Sequence, residues 1–292
     1  MKQVAVIGVP GGWSSEQLAD RLGELTGFRA LVDLAQVRLD LSRGKAFFHD
    51  LELTALDGLA VKKVGHSYSP KLLDRLEFLR FIAAAGVRVF SAPDNIFRVL
   101  NRLSCTIGLV GAGIPIPPTV VTENPEEAAR AVRNFGRAVL KPLYTSKARG
   151  MVVIEDSPAM REEIENYKDS GNSVLYVQKL IELPGWDLGI VFLGGKYLAT
   201  YARVGQKGAW NTTTANGGYY QPYEPSPGLI ELADRAQKIF NLDFTCVDVA
   251  ETDRGPVVFE VSAFGGFRGL KEGCGIEADK AYAEYILREL TT

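Results

Sequence analysis

The feature that most constrains this chain is the segment CVDVAETDRGPVVFEVSAFGG, residues 246–266. Two apolar, β-branched runs flank a polar turn at Asp253-Arg254, and each run carries one carboxylate, Asp248 on the first and Glu260 on the second. Runs of this kind read as an antiparallel hairpin. Side chains alternate along a strand, and cross-strand partners on one face lie ~5 Å apart. Pairing about the turn sets Asp248 opposite Phe259–Glu260. Two acids so close on a half-buried sheet repel each other unless a cation lies between them. Magnesium suits that gap, because it takes hard oxygen ligands and links carboxylates to phosphates. Ser262 shares the face of Glu260 and offers another oxygen, and the glycines beyond it leave room for a ligand.

Two further segments carry chemistry. Lys141 ends the apolar strand AVLKP, where a lysine must pair, snorkel or contact an anion. The loop after it, YTSKARGM, supplies Ser146, Arg149 and a glycine, a composition suited to phosphate contacts through backbone amides. The stretch LYVQKLIELPGWDLGIVFLGG (175–195) is a strand, a loop and a second strand. Gln178, Lys179 and Leu180 end the first strand and could present backbone groups to an adenine edge. Asp187 lies beyond the linker as a supporting or substrate-facing residue.

The rest of the pattern sets the architecture. Strands at 3–9, 29–33, 59–64 and 87–90 alternate with helices, which indicates a parallel α/β lobe. A helix pair spans 94–110, IPIPPTVV (114–121) is extended because its prolines cannot donate, and residues 138–180 form a β-loop-β-α-β block. Strands at 188–192 and 196–203 join through the tight Gly194-Gly195 turn. A polar loop covers 205–227, and a glycine-rich stretch covers 263–275 before the last helix. Residues 1–92, 93–185 and 186–292 are the expected subdomains, as befits a chain longer than a single ordinary domain.

Composition excludes several alternatives. The 33 basic and 35 acidic side chains leave no basic excess for nucleic-acid binding. No apolar run approaches the ~20 residues of a membrane span, and the short apolar N-terminus is no secretion signal, so the expected location is the cytoplasm. Cys105, Cys246 and Cys274 have no metal-ligand spacing and read as small core residues. His49 and His66 are too few for a histidine metal cluster. The loop GVPGGWSS (8–15), with Lys62, Lys63, His66 and Tyr68, is a candidate face for an anionic partner.

Taken in order, the strand lysine, the loop, the hinge strand, Arg203 on a following strand and the two-acid hairpin resemble the ATP-grasp superfamily. Within it the nearest likeness is the RimK-like group of ligases, and it covers about residues 60–270. The resemblance implies an N-terminal parallel α/β lobe, a small antiparallel lid and a C-terminal mixed sheet. It implies ATP and Mg2+ as cofactors, a carboxylate and an amine as substrates, and no nucleic-acid or membrane partner; a homodimer is one option it leaves open. Lys141 and Arg102 would take the α- and β-phosphates, with Ser146 and Arg149 closing over the far end. Gln178, Lys179 and Leu180 would border the adenine, and Asp187 would line the same site. Asp248, Glu260 and Ser262 would hold magnesium. Arg203 would stabilise the transferred phosphoryl group, helped by Arg268 because Asn211 stands where the group carries an arginine. Arg102 replaces a lysine of the pattern and Ser262 an asparagine. The implied activity is carboxylate–amine ligation through an acyl phosphate, with a small-molecule kinase or a non-catalytic nucleotide-binding regulator as the alternatives.

Overall fold

The computed structural model describes residues 1–66, 69, 71–146, 148–214 and 217–291. Tyr68 and the loop residue Lys147 lie outside them. The chain opens with β1 (Val4–Ile7), α1 (Trp13–Thr26) and β2 (Leu31–Val32). A small antiparallel sheet follows, made of β3 (Val37–Asp40), β4 (Lys45–Phe48) and β5 (Leu51–Glu52). Next come β6 (Gly58–Val61), α2 (Lys71–Ala84) and β7 (Arg88–Phe90). The main sheet of this lobe is parallel, in the order β2-β1-β6-β7. Its central strands VAVI and GLAV are buried throughout, which explains why they are unbroken apolar runs.

The middle of the chain begins with α3 (Pro93–Leu100) and α4 (Arg102–Gly111). The side chain of Asn101 caps α4 by accepting from the Ser104 N–H. The lid contains β8 (Thr119–Thr122), α5 (Pro125–Phe135), β9 (Arg137–Leu140), β10 (Val152–Glu155), α6 (Met160–Asp169) and β11 (Leu175–Lys179). Its strands form an antiparallel sheet in the order β10-β9-β11-β8. The extended proline-rich segment thus ends as an edge strand, a position that tolerates missing donors. One face packs on α5 and α6 through Ala128, Val132, Leu140, Ile154 and Ile164.

The last third holds β12 (Trp186–Leu193), β13 (Lys196–Val204), β14 (Tyr219–Pro222), α7 (Pro227–Lys238), β15 (Phe244–Ala250), β16 (Val257–Ser262), α8 (Phe267–Cys274) and α9 (Ala278–Glu289). The sheet order is β14-β13-β12-β15-β16. Three expectations need correction here. Every pair in this sheet is antiparallel rather than mixed, with hairpins closing β12 on β13 and β15 on β16. The polar loop contains the edge strand β14. The glycine-rich stretch contains the helix α8, whose glycines serve close packing: a Cβ at Gly269 would meet the Tyr201 ring at 2.3 Å.

Helix α9 returns to the first lobe, where Tyr282, Tyr285 and Ile286 pack with Val4, Val6, Leu18 and Phe90. First and last segments therefore share one core. Cys105 and Cys246 are buried and Cys274 is half-buried, all three as free thiols. Among the described residues no helix is long and apolar enough to cross a membrane.

Candidate active site

Between the lid and the C-terminal sheet lies a cavity of about 350 Å³. Its floor is a row of side chains that strand register places across the five strands of that sheet. Tyr220 on β14 pairs with Arg203 on β13, and Arg203 pairs with Asp187 on β12. Gly189, two residues beyond Asp187 on the same face, pairs with Asp248 on β15, and Asp248 pairs with Glu260 on β16. Gly189 has no side chain to block the row; a Cβ there would strike the Tyr201 ring at 2.3 Å.

The hairpin carries a β-bulge at the point that matters. Asp248 faces Glu260, but Val249 faces Val258, so Phe259 is left without a partner. Strict alternation would send Phe259 and Glu260 to opposite faces. The bulge brings both to the cavity wall. The turn is held by the Thr252 hydroxyl donating to the Gly255 carbonyl, with Gly255 at φ 103°, a conformation that favours glycine.

Electrostatically the site is a set of matched charges. Arg203 donates from Nε to Asp187 Oδ1 at 3.1 Å and from Nη2 to Asp187 Oδ2 at 2.5 Å, and the same Nη2 lies 3.0 Å from Asp248 Oδ1. The Thr212 hydroxyl donates to Asp187 Oδ1 at 2.5 Å. Burial works against the charge of Arg203, but Asp187 and Asp248 outweigh it and hold the guanidinium firmly protonated. Asp248 is pushed up to about 6, chiefly by burial and further by Asp187 and Glu260, with Arg203 pulling the other way. Glu260 meets Arg102 Nη1 at 3.2 Å.

Above this floor, Lys141 Nζ donates to Gln178 Oε1 at 2.5 Å and stands 5.2 Å from the centre of the Phe259 ring. The Gln178 amide nitrogen donates to the Thr119 hydroxyl at 2.9 Å and the Tyr176 hydroxyl at 3.2 Å, which turns its oxygen toward the lysine. Burial, with a smaller contribution from Arg102, pulls Lys141 down to about 7.

Eleven of the residues singled out from the sequence line this one cavity: Arg102, Lys141, Ser146, Gln178, Lys179, Leu180, Asp187, Arg203, Asp248, Glu260 and Ser262. Several do so in other roles than expected. Gln178 engages Lys141 with its side-chain oxygen. The Leu180 N–H is committed to the Arg137 carbonyl at 3.0 Å, so it is not available to a base. Arg102, only 8% exposed, also donates to the carbonyls of Pro142 and Thr145, and so ties the lid loop to Glu260. The Ser262 oxygen already accepts from the N–H groups of Phe264 (3.3 Å) and Gly265 (3.0 Å). With both lone pairs engaged it has a proton to offer, not a ligand electron pair.

Two residues fall outside the cavity. Arg149 is exposed and bonds Ser146, and Arg268 lies over the Trp13 ring at 5.4 Å, beside Glu272. Among the candidates near the first lobe, Lys63 lines the cavity, His66 is exposed, and Lys62 is buried behind the wall, donating to the carbonyl of the cavity residue Phe264. Sequence reasoning did not single out Trp210, Thr212, Thr213, Thr214, Tyr220 or Phe264 as cavity residues. The hydroxyl-rich run WNTTT was the available signal. Thr213 Oγ1 is buried with no hydrogen-bond partner among the described residues, which marks the wall as one built for a polar ligand.

Asp248 and Glu260 fit one divalent cation as a donor pair, since magnesium commonly binds through one or two carboxylates plus substrate phosphates. Among the described residues no group of three or more acidic, histidine or cysteine side chains could hold a metal.

Comparisons with known proteins agree with this geometry. Residues 99–286 match the RimK-like ATP-grasp domain. The chain is 27% identical to the tetrahydromethanopterin:α-L-glutamate ligase of Methanosarcina acetivorans over 99% of each chain. It is 26% identical to a ribosomal protein bS6–L-glutamate ligase of Escherichia coli, over 73% of this chain and 75% of that one. In fold it is similar to the ATP-grasp ligase PsnB complexed with a phosphomimetic variant of a minimal precursor, Mg and ADP, with a TM-score of 0.77 at 16% identity over 99% of each chain. The chain belongs to the RimK-like ATP-grasp family and is an ATP-dependent carboxylate–amine ligase.

Proposed function

We propose that this chain uses Mg2+-ATP to phosphorylate a carboxylate and then joins the acyl group to the amine of an α-amino acid, with glutamate the first amine to try. The observation that carries the reading is the direct pairing of Asp248 with Glu260, on the same cavity as Lys141. Glutamate is suggested by the names of the relatives in Methanosarcina acetivorans and Escherichia coli.

Chemically, a carboxylate oxygen of the acceptor attacks the γ-phosphorus and ADP leaves. The amine nitrogen then attacks the acyl carbon, phosphate leaves, and the amine proton passes to phosphate or solvent. Magnesium, when held by Asp248 and Glu260, supplies positive charge for the triphosphate and the leaving ADP. Lys141 donates to the phosphates, which restores to its ammonium the charge that burial disfavours. Arg203 balances the negative charge that develops on the transferred phosphoryl group. Leu180, Ile181, Leu183, Val139 and Met151 give the lid wall an apolar stretch suited to a base.

The test is a screen of acidic acceptors against amino acids, scored by ADP and free phosphate. ADP release that needs both partners, and that disappears in a folded Glu260→Gln variant, supports the reading. Phosphate retained on the acceptor with no need for an amine would overturn ligation. Normal turnover of Glu260→Gln would overturn the metal assignment.

A further inference from the structure

Each of the two facing acids has an arginine, and the two pairs are built differently. Arg102, on Glu260, is fixed: its Nε and Nη2 hold the carbonyls of Pro142 (3.1 Å) and Thr145 (3.4 Å), and its main-chain N–H holds that of Leu143 (3.1 Å). Arg203, on Asp248, has its other bonds among the described residues to a single one, Asp187, through both Nε and Nη2. Thr212 steadies that carboxylate with its hydroxyl. Asp187 therefore grips the guanidinium in the two-point geometry that arginine favours, and it would keep that grip if Asp248 were taken away.

That difference has a consequence for binding. Acids facing each other in a largely desolvated cleft need positive charge nearby. In the structure Arg203 provides it on Asp248. A divalent cation arriving alone must displace the guanidinium and then sit beside it, two positive groups at close range with only the acids to offset them. A cation arriving with phosphates brings the negative charge that lets Arg203 change partners.

We propose that Arg203 is a placeholder for the divalent cation on Asp248, and that Asp187 with Thr212 is the positioning pair on which it turns toward phosphate when metal and nucleotide enter together. The proposal rests on the metal assignment above.

The experiment is Mn2+ binding to the full chain, read from the electron paramagnetic resonance of free Mn2+, with and without ADP. Wild type should bind Mn2+ alone weakly and gain strongly from ADP. Arg203→Met should bind Mn2+ alone about tenfold tighter than wild type or better, the scale of one close charge pair, and should gain correspondingly less from ADP. Arg203→Lys keeps the charge and should stay near wild type. Asp187→Asn leaves Arg203 with Asp248 as its remaining acid and should weaken binding of Mn2+ alone; this arm stands even if Arg203→Met fails to fold. A folded Arg203→Met that binds Mn2+ alone no tighter than wild type would overturn the placeholder, provided Mn2+·ADP binding still depends on Glu260. If Glu260→Gln leaves Mn2+·ADP binding intact, the metal assignment itself fails, and the placeholder with it.

Discussion

Lys62 and Lys141 occupy almost the same local setting in two different lobes. Each directly follows a buried apolar strand, LAV before Lys62 and AVL before Lys141. Burial pulls both ammonium groups down to about 7. What lies beside them differs. Lys62 is 2% exposed, donates to the Phe264 carbonyl at 2.8 Å and sits 3.8 Å from the centre of the Phe267 ring. It ties the first lobe to the loop after Ser262 and does not line the cavity. Lys141 has a side-chain amide and a ring of its own, but it also opens on the cavity that holds Asp248 and Glu260. The same desolvation penalty serves cohesion in one place and leaves a cation short of partners in the other. A buried lysine is therefore a functional candidate only when there is room next to it.

The largest effect that could break this contrast is on nucleotide use. Lys141→Met removes a charge-assisted hydrogen bond to phosphate and should raise the ATP concentration needed for half-maximal turnover by about 10–100-fold. Lys62→Met should leave that concentration unchanged. Steady-state kinetics of the two variants decides it, and equal shifts would abolish the distinction.

The pH dependence of binding sharpens the contrast further. Bound phosphate favours protonated Lys141, which in the structure faces Gln178, Phe259, Arg102 and Glu260. Above about 7 the free lysine loses its proton, so binding must take one up, and ADP affinity should fall by up to ~10-fold per pH unit between pH 7.5 and 9. Calorimetry in buffers of different ionisation enthalpy should record that proton uptake in wild type and Lys62→Met but not in Lys141→Met. Uptake persisting without Lys141 would assign the proton elsewhere.

A smaller effect concerns stability. Both lysines have a folded pKa near 7, below the unfolded value near ~10.4. Between those values the unfolded chain holds the extra protons, so these groups make stability rise with pH through that window. Lys62→Met should flatten the rise in Tm from pH 7 to 9, with or without ADP. Lys141→Met should flatten it only without ADP, because bound phosphate keeps that lysine charged. A Lys62→Met melting series parallel to wild type would show that its ammonium is not held out of water.

How much of this was legible in the sequence follows the range of the forces involved. The alternation of apolar runs and breakers showed the parallel lobe, the lid and the terminal hairpin, because those patterns are local. Asp248 and Glu260 could be paired to within one residue from the turn alone. The bulge at Phe259 could not be seen, since it depends on how β16 meets β15 and Lys141. Gly269 and Gly273 read as loop residues because a glycine's packing partner, here Tyr201, is distant in sequence. The place of Arg268 after the glycines points to the site, but α8 turns it toward Trp13. The pairing of Asp187 with Arg203 is legible only to within one residue, because a bulge between Val191 and Phe192 shifts the register that the Gly194-Gly195 turn sets.

The most direct test is a crystal of the chain with ADP and Mn2+, with the metal located by its anomalous scattering. The account requires the metal peak within about 2.2 Å of carboxylate oxygens of both Asp248 and Glu260, an ordinary distance for such an ion, with the phosphates beside Lys141 Nζ and Arg203 withdrawn from Asp248 onto Asp187. A metal bound away from those two acids, or a nucleotide whose phosphates do not approach Lys141, would contradict it.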